Sequence, residues 1–329
     1  PWDMPWRGGM VHPDEIKADP VQSRHRLFSE YTRDWLIRDK DSPYVEELPY
    51  DWIQPDVVGG KSLLWSRQSW RWSPMDFLSN LEDGHGEDWP IRYEDLAPWY
   101  DLVEKTIGVS GSLEGLPQLP DGIFQKPMEM NAAEKVLRDA TVENFPDRNV
   151  IIGRVAVLTE QLGDRAPCHY CGPCERGCSA GSFYSTQSAA LPAARKTGNL
   201  TLKSRQLVES VQHKDGRATG VRVINMQTGD IEEYTARVVF MCASAPGTVR
   251  VLLNSKSAEF PDGIANSSGV LGHYMLNHNS RVGARGYMHG INDRYYKGHR
   301  PNIIYVPRFR NLDEKSRHPD FVRGYSLSG

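Results

Sequence analysis

The stretch CHYCGPCERGC, residues 168–178, gathers four of the chain's five cysteines. Cys168, Cys171, Cys174 and Cys178 follow C-x2-C-x2-C-x3-C, the spacing of bacterial ferredoxin cluster loops, with Ser179 where such loops usually carry Pro. Short intervals aim successive thiolates at one inorganic core, and Gly172, Gly177 and Ala180 let backbone amides approach its sulfurs. The spacing predicts an iron–sulfur cluster, 3Fe-4S or 4Fe-4S. Two other readings stay open. Structural zinc favours two separated Cys pairs over one run, and reactive or disulfide-forming thiols would more often be scattered through a small secreted domain. Cys242, in an apolar run far along the chain, reads as an inert core thiol rather than a remote fourth ligand.

The elements that must carry this loop can be read in outline. At 329 residues, with 39% hydrophobic and 25% charged, the chain can bury a core and divides into two intertwined domains. A net charge of -3 from 39 basic and 42 acidic residues supplies no electrostatic footprint for nucleic acid. No apolar run approaches the roughly 20 residues of a membrane helix, and no signal peptide opens the chain. The start, PWDMPW without an initiating Met, points to a chain that is processed, trimmed or partly represented. Residues 1–50 read as an irregular arm with one possible helix near 20–38. In DWPIRYEDLAPWYDLVEKTIGVSG, acidic residues precede a 3–4 spacing of Leu96, Trp99, Tyr100, Val103 and Ile107 and a Gly follows, predicting a capped helix. A second helix is expected at 131–144. From Leu200, alternating apolar and polar runs broken by Asp-Gly and Thr-Gly predict an antiparallel meander ending in a buried strand at 237–242. A helix is expected at 246–254, and further strands in the last seventy residues.

Five segments, VVGGKSLLWSRQSWRWSPMDF, WPIRYEDLAPWYDLVEKTIGVSG, ALPAARKTGNLTLKSRQLVESV, VVFMCASAPGTVRVLLNS and GVLGHYMLNHNS, occur in the order found in the glucose/methanol/choline (GMC) oxidoreductases. Through most of residues 50–280 the chain resembles that family of FAD-dependent oxidoreductases. It looks most like the branch of gluconate, fructose and glucoside dehydrogenases, which carry a cysteine-rich cluster loop at this point. The resemblance implies a mixed α/β fold in which an FAD-binding dinucleotide-fold portion is interleaved with an antiparallel-sheet substrate domain, incomplete in this chain. It divides the chain into an arm at 1–50, a flavin-contacting loop and helical part at 51–160, the cluster loop at 161–199, an FAD-domain meander, strand and helix at 200–258, and the start of the substrate domain at 259–329.

The resemblance also places FAD contacts. Gly59 and Gly60 let the backbone press against the isoalloxazine ring, Ser62 and Ser66 offer hydrogen bonds, and Trp65 forms an apolar wall. Taken alone, the same residues read as a Gly-Gly turn before a Trp-rich core patch. Where some relatives carry a histidine bonded covalently to flavin there is Leu64, so the FAD is expected to be non-covalent. The resemblance gives the backbone of Val208 to the adenine edge, and Ala243 and Ser244 to close passage of the cofactor before a helix start that favours an anion. Trp70, Arg71 and Trp72 suit sugar stacking and hydroxyl recognition, although nine Trp also suit a core.

No G-x-G-x-x-G fingerprint occurs in the sequence, and the family keeps its catalytic histidine in its final part. The catalytic residues are therefore expected outside this chain, and His273 and His278 read as structural. The implied reaction is oxidation of a sugar or polyol CH–OH group by hydride transfer to flavin, with electrons leaving through the cluster to an external acceptor such as a cytochrome, beside a small accessory subunit. Related cluster-bearing dehydrogenases imply a periplasmic location; without that implication the chain reads as cytoplasmic. The alternatives are an oxygen-using flavin sugar oxidase with a structural metal at the cysteine loop, and a non-enzymatic ferredoxin-like electron-transfer module.

Overall fold

The computed structural model describes residues 11–276, 282–290, 298 and 300–329. The chain forms two compact units, one of Pro1–Asn199 with Tyr287–Gly329 and the other of Leu200–Gly286. Both mix helices with antiparallel strands, so the fold class is mixed α/β.

The first unit is organised around residues 150–158, every one of them buried. Val155, Ala156, Val157 and Leu158 expose nothing, and such a segment must find backbone partners on both sides. It does: Val155 exchanges hydrogen bonds with Ser110 at 3.0 and 2.9 Å, the Ala156 N–H donates to the Arg67 carbonyl at 2.8 Å, and the Tyr184 N–H donates to the Ala156 carbonyl at 3.0 Å. At its start, β1 (Ile151–Ile152) pairs antiparallel with β5 (Ile304–Val306), which pairs with β6 (Leu327–Ser328). This spine therefore draws together segments near residues 67, 110, 184 and 303.

Helices α1 (Pro13–Ala18), α2 (Pro74–Asp83), α3 (Tyr93–Ile107), α4 (Ala132–Asn144) and α5 (Ala190–Lys196) belong to the same unit. The helix expected within DWPIRYEDLAPWYDLVEKTIGVSG forms as α3, and the one expected at 131–144 forms as α4. α4 is capped by Asn131, whose side chain accepts from the Glu134 N–H while Glu134 accepts from the Asn131 N–H. α3 stops at Gly108, φ +78, where a Cβ would lie 2.1 Å from Leu158. Its periodic apolar residues are nevertheless largely outside: Trp99 is 62% exposed and Val103 51%, whereas Glu104 is buried. Glu104 is held inside by Arg71, whose Nε donates to Oε1 at 2.8 Å, and by the Ile123 N–H at 2.8 Å.

The helix expected at 20–38 is absent. Two 3-10 turns, Gln22–Arg24 and Arg33–Trp35, stand there instead. Leu27, Phe28 and Leu36 converge on Leu64 as one apolar cluster rather than lining a helix face. Local side-chain bonds, Thr32 to the Leu27 carbonyl and the Leu27 N–H to His25 Nδ1, compete with helical pairing.

The second unit contains the expected meander. β2 (Gln206–Lys214), β3 (Arg217–Asn225) and β4 (Ile231–Thr235) form an antiparallel sheet in that order, with the tight turn at Asp215 and Gly216. α6 (Ala245–Asn254) packs on β2, and Ser255 at its end accepts the Val211 N–H at 2.8 Å. The buried strand expected at 237–242 is not formed. Among the described residues these six pair with no strand, Val238 is 64% exposed and Phe240 84%. Cys242 is likewise exposed and is not a core thiol. Apolar composition is not sufficient for a strand, which also needs a neighbour's N–H and C=O groups.

Candidate functional site

In the first unit, residues 58–67 form a tight loop. Gly59 (φ +110) and Gly60 (φ +50) adopt left-handed backbone that a side chain disfavours, and a 3-10 turn, Gly60–Leu63, follows. A Cβ at Gly59 would meet Leu63 at 3.2 Å and Gln187 at 3.3 Å, but nothing lies within 4 Å of the Cβ position at Gly60. One side of this turn is therefore bare backbone. The Trp65 ring meets Tyr184 edge-on at 6.2 Å, and its indole N–H is buried with no partner. The loop thus combines a bare glycine with an orphaned buried donor, features that suit a flat group carrying acceptors.

Not every residue of the loop is free to serve a ligand. The Ser62 hydroxyl donates to the Gly59 carbonyl at 2.6 Å and accepts the Thr186 N–H at 3.0 Å, so it holds the loop together. Ser66 is exposed, and Leu64 is buried against Leu27, Phe28 and Leu36.

The cysteine loop occupies the same unit. Cys168, Cys174 and Cys178 are half-buried against an apolar cluster of Met128, Ile152, Val155, Val157 and Phe183, while Cys171 is exposed; all four are free thiols. Burial, with the neighbouring thiols adding to it, pushes Cys174 up to about 12 and also raises Cys168. Two buried guanidiniums accompany them. Burial lowers Arg67 to about 10 and lowers Arg165, while the nearby thiols act in the opposite sense on both. Among the described residues, no three His, Cys, Asp or Glu side chains are grouped so as to hold a metal ion. The four thiols are thus electrostatic neighbours in one lining but do not converge as a ligand set in this conformation.

Val208, Ala243 and Ser244 lie in the second unit. Val208 pairs with Val223 just before a register shift in β2. That strand is at the sheet edge, where outward backbone groups are open to a partner. Ser244 precedes α6 at φ +64 and makes no side-chain cap to it. A Cβ on the buried Gly247 would lie 3.3 Å from Ala243. His273 is exposed in a turn, and His278 lies outside the described residues. Sequence reasoning gave no role to Arg26, Arg67, Glu175 and Thr186, which join the two loops; Glu175 and Arg67 lie within the cysteine and glycine loops, but neither spacing nor periodicity singles them out.

The GMC oxidoreductase family model matches residues 153–279, a span that holds the cysteine loop, the meander and α6. Residues 153–279 thus carry a GMC oxidoreductase domain, a family that implies FAD as cofactor. Among curated relatives, it is 31% identical to 2-methyl-1,2-propanediol dehydrogenase of Mycolicibacterium austroafricanum, over 90% of this chain and 55% of that protein. It is 27% identical to paromamine 6'-oxidase of Streptomyces fradiae, over 72% of this chain and 43% of that protein. To the fructose dehydrogenase large subunit of Gluconobacter japonicus it is 26% identical, over 67% and 41%. The chain spans about half the length of these relatives. Among the described residues, no helix is long and apolar enough to cross a membrane.

Proposed function

We propose that the chain is part of an FAD-dependent dehydrogenase that oxidises a CH–OH group of a sugar or sugar-derived alcohol. The observation that carries this reading is the 58–67 loop, which holds both a bare backbone face at Gly60 and the buried Trp65 N–H, unpartnered among the described residues. Bound flavin supplies a hydride acceptor for the carbinol carbon. The protein's part is to hold and orient. Gly60 admits the ring's edge, Trp65 walls it and offers a donor, and Ser62 keeps the turn rigid through Thr186. In the second unit, Val208, Ala243 and Ser244 are kept as cofactor contacts on the strength of the family resemblance alone. No described histidine is assigned the hydroxyl proton. Leu64, in the apolar cluster, offers no nucleophile at the position where some relatives link their flavin, which supports a non-covalent FAD.

The cysteine loop is proposed as the seat of an iron–sulfur cluster on the strength of its spacing and of the shared lining of three thiols, and an external acceptor such as a cytochrome rests on the family resemblance. Their ungrouped arrangement here does not fit a closed cluster, and no step of the reaction is assigned to it. A small accessory subunit and a periplasmic setting rest on the family resemblance. The oxygen-using oxidase is the second reading, favoured by the ungrouped thiols; one relative is itself an oxidase.

Flavin, iron and acid-labile sulfide measured on the purified complete protein test these readings. Stoichiometric flavin with iron and sulfide, and sugar turnover with a one-electron acceptor under anaerobic conditions, is the expected result. Flavin without iron, with turnover only in oxygen, would establish the oxidase. Iron and sulfide without flavin would favour the electron carrier.

A further inference from the structure

The 58–67 loop and the cysteine loop are joined by two guanidiniums, Arg26 from outside both and Arg67 from the end of the first. Arg26 pairs through Nη1 with Glu175, which sits between Cys174 and Cys178, and donates from Nη2 to the Leu64 carbonyl at 3.2 Å. One side chain thus holds an acidic residue of one loop and a backbone group of the other. Arg67 is 4% exposed and sits at φ +66. Its Nε donates to the Tyr184 carbonyl at 2.8 Å, and its Nη1 donates to the Leu63 carbonyl at 3.3 Å and to the Trp65 carbonyl. Its guanidinium lies 3.8 Å over the Phe183 ring, a member of the apolar cluster on which the three half-buried thiols pack. Thr186 to Ser62 and Gln187 to the Val58 carbonyl continue the seam.

A planar fork that satisfies three carbonyls from two segments fixes their relative position, which a point charge does not. Each of those carbonyls would need a new partner if the loops parted. We propose that Arg26 and Arg67 are positioning residues that make the two loops one mechanical unit, so that ordering the cysteine loop also orders the turn carrying Gly60 and Trp65, and the reverse. The relevance of this coupling to redox chemistry rests on the function proposed above. The coupling itself requires neither cofactor.

The test is a double-mutant cycle in the complete protein, read by backbone hydrogen exchange over residues 60–66. Arg26→Gln and Glu175→Gln alter a half-exposed pair and leave the core intact. Each single variant is expected to speed exchange at 62–66 at least threefold, and the double variant no more than the larger single effect. In holoprotein, Glu175→Gln should also shift the visible flavin band, although Glu175 lies in the cysteine loop. Arg67→Lys keeps the charge and loses the fork, and should speed exchange at both 59–66 and 182–187. Unchanged exchange in the single variants, multiplicative effects in the double, or full protection in Arg67→Lys would each overturn the proposal. Flavin and iron content of the same preparations report separately on the proposed function, so the two can fail independently.

Discussion

Arg71 and Glu104 form a buried ion pair, with side chains 3% and 6% exposed and Nη2 to Oε2 at 2.5 Å. The same carboxylate accepts the Ile123 N–H at 2.8 Å, and Asp101 and Tyr93 complete the set around the guanidinium. Burial opposes the charge on Arg71, but the bonds from Glu104, Asp101 and Tyr93 outweigh it and raise its pKa. Gly122 must be a glycine here, because a Cβ would lie 2.3 Å from the Glu104 carboxylate.

Removing one partner of such a pair leaves the other charge buried. Glu104→Gln is expected to lower unfolding free energy by on the order of 3 kcal/mol, measured by urea denaturation. A loss of a few tenths would mean that Asp101 alone suffices to hold Arg71.

Acid sensitivity is expected to centre partly on Asp121. Its carboxylate accepts the Glu114 N–H at 2.8 Å and the Gly115 N–H at 2.9 Å, and meets the fully buried Arg154 at 2.7 Å. Burial acts to raise its pKa, but these bonds and the Arg154 charge win and hold it below 3.8. A depressed carboxylate stabilises the fold above its unfolded value and loses that contribution as pH falls toward the folded one. Wild-type urea midpoints should therefore drop as pH falls below about 4. Asp121→Asn should be less stable at pH 7 and flatter with pH, the two curves converging at low pH; parallel curves would count against the assignment.

Trp65→Phe separates packing from recognition. The indole N–H has no partner in the protein, so stability should change by less than about 1.5 kcal/mol. If that N–H serves the flavin, FAD affinity in the complete protein should weaken about tenfold, the equivalent of one hydrogen bond. Unchanged affinity, titrated by flavin fluorescence, would remove Trp65 from the contact set.

Thiol reactivity in metal-free protein should follow burial. Thiolate is the reactive species, and Cys174 is pushed up to about 12 mainly by burial, whereas Cys171 is exposed. Iodoacetamide at pH 8 should label Cys171 well ahead of Cys174, as read by peptide mass spectrometry. Equal rates would show that the loop opens readily.

Local punctuation was the legible part of the sequence. Asp215 and Gly216 marked the β2–β3 turn, and Asn131 with Glu134 closes a cap that local residue types can specify. The period of α3 was legible, but not which face it buries, because a charged residue with a partner 33 positions away took the inner place. At 20–38 the apolar residues served a cluster completed by Leu64, a contact no local window contains. The cysteine spacing brought four thiols into one neighbourhood, whereas their convergence depends on side-chain placement that spacing does not dictate. Arg26 and Arg67 were invisible for a related reason: Arg26 meets an acid far along the chain and a carbonyl, and Arg67 meets carbonyls alone, which every residue has.

The open segment at 237–242 has a practical consequence for handling the chain. Arg-Val-Val-Phe-Met-Cys combines β-branched and aromatic residues with one charge and no Pro, and its apolar side chains meet solvent. Such a stretch is a template for strand addition by any extended peptide, including the same six residues of another molecule. At high concentration this chain will tend to self-associate through that stretch, forming sheet-rich aggregates that Cys242 can lock by intermolecular disulfides.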